Sequence, residues 1–327
     1  MVSRILAPRA FRAGEVIRHA ERDEFDAVLD LLRLAFPHVP SRFFEALVLG
    51  DPEYDARYSL VVEQDGYFRS HLQIFARTMV IHGRPVRLGG IGNVGTHPAY
   101  RRRGYATALL THAIDLMRKE GFEGSLLFTG IGIFYAKLGW VPIHRRLIEL
   151  AVFTNGPGVR PGIHVTRLES EYLTGVRELA DSFHTDRTGR IVRGEHYWSQ
   201  PRPWTEERRW VILRGEVVVG FFFGLPQTDR TLLVSEYAYK SGTGGLAPAD
   251  FLAVLQEIAR RESALHVLGS FLFDSELRAY LEHSTLAFQE RISSSMMWRD
   301  LGRRKHVTHL DEAAREGTLL FWETDAF

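Results

Sequence analysis

The stretch Val94-Gly-Thr-His-Pro-Ala-Tyr-Arg-Arg-Arg-Gly-Tyr-Ala-Thr-Ala-Leu-Leu110 constrains this chain more than any other. A glycine-rich extended segment, Val86–Thr96, runs into a tight turn of arginine and glycine. The turn opens a helix with one apolar stripe: Ala106, Leu109, Leu110, Ala113, Ile114 and Met117. The first turn of a helix has unpaired backbone N–H groups and the positive end of the helix dipole. Together they form a cradle suited to phosphate. Gly104 lets the backbone approach a pyrophosphate without a Cβ, and Ala106 keeps the next turn small. Arg101, Arg102 and Arg103 add positive charge. The spacing is neither the dinucleotide G-x-G-x-x-G nor the P-loop, so no nucleotide-triphosphate chemistry is implied. The competing reading of three consecutive arginines is a solvated turn.

Around this core the pattern predicts a strand at Glu15–Ala20, an amphipathic helix over 22–36, and a short helix from Ser41 to Leu49. Strands follow at Tyr58–Glu63 and Phe68–Ile81, joined by a turn at Gln64-Asp65-Gly66. After the long helix come a strand at Gly124–Thr129, a short helix at Ile133–Leu138 and an extended segment, Val141–Phe153. Asn155-Gly-Pro-Gly-Val-Arg-Pro-Gly162 concentrates turn formers and marks the expected boundary between domains 1–155 and 156–327. The second half repeats the order of elements. A hairpin turns at Arg214-Gly215, a strand spans Leu232–Tyr239, and a helix spans Pro248–Arg261. A strand at Leu265–Phe271 and a helix at Asp274–Leu281 complete it. The offset is roughly 140–150 residues throughout, which points to internal duplication, with two unrelated units of like order as the alternative.

A length of 327 residues suits two domains of ~100–200 residues each. Hydrophobic residues make up 45% and include 21 Phe, enough for a sizeable core, which excludes disorder. Cysteine is absent, so disulfides, thiolate catalysis and Cys-ligated metals are excluded. His71, His82 and His112 lack metal-ligand spacing, and no metal site is assigned. With 41 basic against 40 acidic side chains there is no bulk field for nucleic acid. Residues 1–155 carry 20 basic and 16 acidic side chains, against 21 and 24 in 156–327, so an anionic ligand belongs with the first half. The longest apolar stretch, Val217–Leu225, is about half a membrane span, and the N-terminus has no secretory run. The expected setting is the cytoplasm, without a membrane partner.

These motifs resemble the GNAT superfamily of acyl-coenzyme A transferases. His97-Pro98-Ala99-Tyr100-Arg101-Arg102-Arg103-Gly104-Tyr105-Ala106 is similar to the family's Arg/Gln-x-x-Gly-x-Gly/Ala motif, and Tyr135-Ala-Lys-Leu-Gly139-Trp140 to its second motif. The resemblance covers roughly residues 15–153. It implies an α+β fold of tandem GNAT units, each a mixed, largely antiparallel sheet flanked by helices. It implies acetyl-CoA as cosubstrate, with no metal, and a small-molecule or peptide amine as acceptor. Backbone groups of Val94 and Thr96 would pair with the pantetheine arm. The N–H groups of Arg102 to Ala106, Tyr105 included, would hold the pyrophosphate, and Tyr135 would protonate the leaving thiolate. A non-catalytic acyl-CoA sensor or a structural module stays open, as does assembly into a homo-oligomer.

The second unit has Lys240-Ser-Gly-Thr-Gly-Gly-Leu246 where the first has its arginine turn, and reads as a degenerate copy. The strands Val86–Thr96 and Ser125–Thr129 contain no Asp or Glu, although many family members take a general base there. The enhanced intracellular survival acetyltransferases, which this chain resembles in its tandem units, use a C-terminal carboxylate. By that analogy an apolar Thr318–Trp322 strand would carry the Phe327 carboxylate inward as base; the alternative is that Phe327 plugs an apolar hollow. His97 reads as a local cap more readily than as a base. Asp51, Glu53 and Asp55 form either a solvated loop or an attractor for a cationic amine.

Overall fold

Two-residue turns set the first sheet. Asp65 and Gly66 (φ 54° and 77°) join β2 (Ser59–Gln64) to β3 (Tyr67–Ile81), and His82 and Gly83 (φ 53° and 72°) join β3 to β4 (Arg84–Thr96). Paired positive φ values match the right-handed twist of a hairpin. This is a computed structural model. It describes residues 14–48, 50–51, 53–153, 158–185, 187–194, 197–198, 207–284, 286–322 and 325. Before the hairpins lie β1 (Glu15–His19), α1 (Phe25–Ala35) and α2 (Ser41–Val48). After them come α3 (Tyr105–Lys119), β5 (Gly124–Phe128), α4 (Gly132–Ala136), β6 (Val141–Pro142) and β7 (Arg145–Ala151). The second half contains β8 (Ile163–Arg167), α5 (Leu173–His184), β9 (Arg208–Arg214), β10 (Val217–Pro226) and β11 (Thr231–Tyr239). It continues with α6 (Pro248–Arg261), β12 (His266–Gly269), α7 (Ser275–His283), β13 (Phe288–Ser293), β14 (Met296–Asp300) and α8 (His306–Glu316).

The strands form two seven-stranded, largely antiparallel sheets of matching order, β1-β2-β3-β4-β5-β14-β6 and β8-β9-β10-β11-β12-β7-β13. The fold is α+β, as expected. The sixth strand of each sheet comes from the other half. β14 pairs with β5 and β6, and β7 pairs with β12 and β13. The expected division at residue 155 therefore does not partition the strands, and the extended segment 141–153 splits between the two sheets. Residues 154–157 at that division lie outside the described residues.

Alternation along β2 fixes the two faces of the first sheet. Leu60 and Val62 enter the core under α3 with Leu109, Leu110 and Met117, whereas Val61 faces α1 and packs with Val28, Leu29 and Leu32. A third core lies between the units, where α8 and the following segment cover Met79, Leu88, Leu126 and Trp298. The expected strand at Thr318–Trp322 is instead a segment without a ladder, buried from Leu319 to Trp322 and held by Leu320 N–H donating to the Thr188 carbonyl (2.8 Å). Among the described residues no helix is long and apolar enough to cross a membrane.

Of the buried histidines, His71 (0% exposed) and His184 (3%) are the most deeply enclosed among the described residues. His71 Nε2 lies 3.0 Å from Ser59 Oγ and its Nδ1 lies 3.0 Å from the Asn93 carbonyl. Burial pushes both rings down to about 4. The unfolded chain protonates them near 6.5, well before the folded chain does. Stability is thus full above about pH 6.5 and falls toward pH 4, by about 1.4 kcal/mol per pH unit for each ring. Urea midpoints at pH 7 and pH 5 should show this loss, and His71→Gln should lessen it. An unchanged slope in that variant would remove His71 as a source.

Candidate active site

β4 and β5 pair in parallel only from Leu88↔Gly124 to Ile91↔Leu127. Beyond that point they part. The register of β4 against β3 shifts between His71 and Gln73, where Asn93 and Val94 bulge out, and Asn93 takes φ 52°. A bulge bends its strand and re-aims side chains. On the far side, Thr129 N–H donates to the Ser295 carbonyl (2.8 Å), so β5 follows β14 away from β4. The gap is a cavity of about 400 Å³. Gly92, Asn93 and Val94 line one wall, Phe128, Thr129 and Ile131 the other, and Tyr135 is in the lining with them. Val94 therefore faces the opening. Thr96 lies two residues further along, with Oγ1 2.8 Å from Ser70 Oγ.

Asn93 is a residue that sequence reasoning missed. Its Nδ2 is buried and has no hydrogen-bond partner among the described residues. A buried donor left unmade costs about 1–3 kcal/mol, and Asn93 is a residue of the cavity lining. An Asn after glycines in a strand is the sole sequence hint, because Asn tolerates the left-handed region.

Tyr135 is 8% exposed and packs edge-on against Trp140 (6.2 Å) and Phe134 (5.0 Å). Burial pushes its phenol up, which keeps it protonated at neutral pH and able to donate. The glycine of its motif is required. Gly139 has φ 87°, and a Cβ there would lie 2.2 Å from the Arg299 guanidinium of β14.

The cradle also differs residue by residue from the sequence expectation. Gly104 (φ 83°) is the N-cap of α3, and the first helical bond runs from Ala108 N–H to its carbonyl (3.0 Å). The amides from Tyr105 to Thr107 precede that bond and have no acceptor within the helix. Arg102 and Arg103 are exposed, and Arg103 sits over the Tyr100 ring at 5.0 Å. Arg101 does not aim at the cradle. Its guanidinium donates to the Ala35 carbonyl at the end of α1 (2.9 Å) and to the Thr96 carbonyl (3.4 Å), fixing α1 to the end of β4. The Tyr105 side chain points into the core, where its hydroxyl donates to Glu15 (2.6 Å), so only its backbone can serve the cradle. Ala106 is half-buried behind the turn. His97 accepts from Ala99 N–H (3.2 Å) and is a cap.

Asp51 and Asp55 are engaged. Asp51 accepts from Arg77 (2.8 Å) and Asp55 from Arg57 (2.6 Å). Glu53 lies 3.6 Å from Arg77, and burial pushes its carboxyl up. Phe327 lies outside the described residues. Earlier in the chain, Phe321 lies 5.1 Å from Phe128 of the cavity lining, and its carbonyl accepts from Arg145 (3.2 Å). Asp325 is clamped by Arg193 (2.9 Å) and accepts from Tyr197 (2.9 Å).

The profile of the acetyltransferase (GNAT) domain family matches residues 16–143, the span that holds the parted strands, the cradle and Tyr135. Over these residues the chain is similar to a GNAT acetyltransferase domain. Solved structures extend the likeness in fold across both units. A GCN5-related N-acetyltransferase from Kribbella flavida shares 20% identity at TM-score 0.63, over 88% of this chain and 71% of that one. Eis1 from Mycobacterium abscessus shares 14% at 0.58, over 88% and 73%. A tandem GNAT protein from the clavulanic acid biosynthesis pathway shares 16% at 0.53, over 89% and 100%. No curated protein matches the sequence. The chain has the tandem-GNAT fold, and acyl transfer is the chemistry of the matched family.

The second GNAT-like unit cannot offer the same cradle. Its matching helix, α6, begins with Pro248, which has no N–H. The Asp250 carboxylate occupies the first turn, accepting from Ala247 N–H (3.3 Å) and pairing with Arg160 (3.0 Å), where it would repel a phosphate. The space beside β11 is filled by Phe271, Phe273 and Trp322 around Tyr237, with ring separations of 5.2–5.5 Å. Calorimetry with coenzyme A should therefore give one site per chain, and two equivalent sites would overturn this assignment. Gly104→Val should weaken that binding by at least about tenfold, since a branched residue is strained at positive φ and its Cβ obstructs the turn. Arg102→Ala should weaken it only modestly.

Proposed function

We propose that this chain transfers an acetyl group from acetyl-CoA directly to the amine of a small molecule or peptide. The observation that carries the reading is the parting of β4 from β5 beside a helix N-terminus, with a protonated Tyr135 in the lining of the gap. The open edge of β4 at Val94 and Thr96 offers backbone groups to the pantetheine arm. The amides from Arg102 to Ala106, with the Arg102 and Arg103 side chains, suit its pyrophosphate. Asn93 Nδ2 would donate to the thioester carbonyl as negative charge develops there. The acceptor nitrogen forms its bond to the carbonyl carbon, the C–S bond breaks, and the Tyr135 hydroxyl protonates the departing sulfur.

The acceptor must lose a proton, and the described lining of the cavity holds no carboxylate or histidine. The Phe327 α-carboxylate is the proposed base. The anchoring of the tail at Phe321 and Asp325 supports this reading. Appending one glycine after Phe327 should lower turnover while leaving coenzyme A affinity nearly intact, and wild-type turnover in that variant would exclude the role. The overall reading is tested by following free thiol with acetyl-CoA and a panel of amines. Coenzyme A binding without thiol release from any amine would sink it.

A further inference from the structure

The cavity has a second wall that the acyl-transfer reading does not use. α1, α2 and their connection close over the parted strands with Phe36, Val39, Phe43, Phe44 and Leu47. This wall is on the α1 face of the sheet, opposite α3 and its cradle. The rings stand at angles to one another. Phe36 and Phe44 lie 5.7 Å apart at 37°, and Phe43 and Phe44 lie 5.5 Å apart at 90°. Edges and faces are both on offer, as aromatic contacts prefer. No charged side chain lines the cavity among the described residues. The acids just beyond α2 do not make up for this, because Asp51 is 5% exposed and bonded to Arg77, and Glu53 faces the same guanidinium.

We propose that the acceptor is a monoamine with an apolar, preferably aromatic, body: an aralkylamine whose ring lies against Phe36 and Phe43 and whose nitrogen reaches toward Tyr135. This rests on the acyl-transfer reading. A single amine sheds its charge in the reaction and leaves nothing ionic against the phenyl wall. A polyamine or amino sugar would bring further ammonium groups to that wall, and a buried charge without a partner is strongly disfavoured. Phe36, Val39 and Phe43 are only partly covered as they stand, so a bound ring would remove apolar surface from water.

The test measures binding separately from turnover. On protein saturated with coenzyme A, calorimetry should show 2-phenylethylamine binding at least about tenfold tighter than spermidine. Phe43→Ala should weaken 2-phenylethylamine by about tenfold with coenzyme A affinity unchanged, which also shows that the variant is folded. Phe43→Leu should fall between. Spermidine binding as tightly as 2-phenylethylamine would overturn the proposal, as would indifference to Phe43→Ala. Octanoyl-CoA binding more tightly than acetyl-CoA, with the advantage lost in Phe43→Ala, would assign the wall to the acyl chain and also overturn it. Thiol release from other amines but not from 2-phenylethylamine would overturn this proposal and leave the acyl-transfer reading standing, whereas no thiol release from any amine would sink that reading itself.

Discussion

Residues 1–155 produced alone are expected to be insoluble or to lack cooperative unfolding, even though they contain the whole profile match and every described residue of the cavity. The physical reason is β14. It lies between β5 and β6, pairing from Met296↔Phe128 to Asp300↔Gly124. Without it β5 is left with an unpaired, apolar edge. Trp298, fully buried, fills the space above Gly124 so closely that a Cβ there would lie 2.0 Å from its ring. Its indole N–H donates to Asp300 (2.9 Å). The isolated first half would also expose β7, whose Ile148 and Leu150 belong to the core of the second sheet. Co-expression of 1–155 with 156–327 should restore soluble, coenzyme-A-binding protein. In the intact chain, Trp298→Ala should cost about 3–5 kcal/mol, a large part of an ordinary total stability of about 5–15 kcal/mol. Urea unfolding reads both effects. A first half that unfolds cooperatively and binds coenzyme A like the full chain would show that the exchanged strand is dispensable.

Tyr135→Phe should lower kcat by about 10²–10⁴-fold, the usual contribution of a positioned acid. Coenzyme A affinity and stability should barely change. The ring keeps its edge-on contacts with Phe134 and Trp140, and the backbone carbonyl of residue 135 still accepts from Leu138 N–H (2.9 Å). Only the hydroxyl is lost. Single-turnover kinetics with acetyl-CoA separate the chemical step from product release. A variant with wild-type kcat would show that the thiolate leaves without help from Tyr135, and the phenol would then be a packing group. A parallel loss of coenzyme A binding would instead mark a structural effect.

Much of this was legible in the order of residues. The apolar stripe of α3, the turn at Asp65-Gly66 and the Arg-Arg-Arg-Gly turn are local features, and local features are written in spacing. The motif that holds Tyr135, a residue of the cavity lining, is local too, and so are Pro248 and Asp250 at the start of α6. Tertiary structure alone decided the rest. The segment 141–153 is extended by its composition, but no periodicity says that β6 belongs to one sheet and β7 to the other. β5 and β14 are separated by more than 160 residues and meet only because each sheet leaves a gap that the other half's strand fills. Arg101 reads as phosphate-binding until α1 brings the Ala35 carbonyl within 2.9 Å of its guanidinium. Asp51 reads as a free acid until β3 sets Arg77 beside it. The phenyl wall of the cavity is assembled by packing α1 and α2 across the parted strands, so its chemistry belongs to no single stretch of sequence. Sequence sets which faces are apolar and where the backbone can turn. Which distant surfaces cover those faces depends on complementary shape and on satisfying strand edges, and these exist only once the chain has folded.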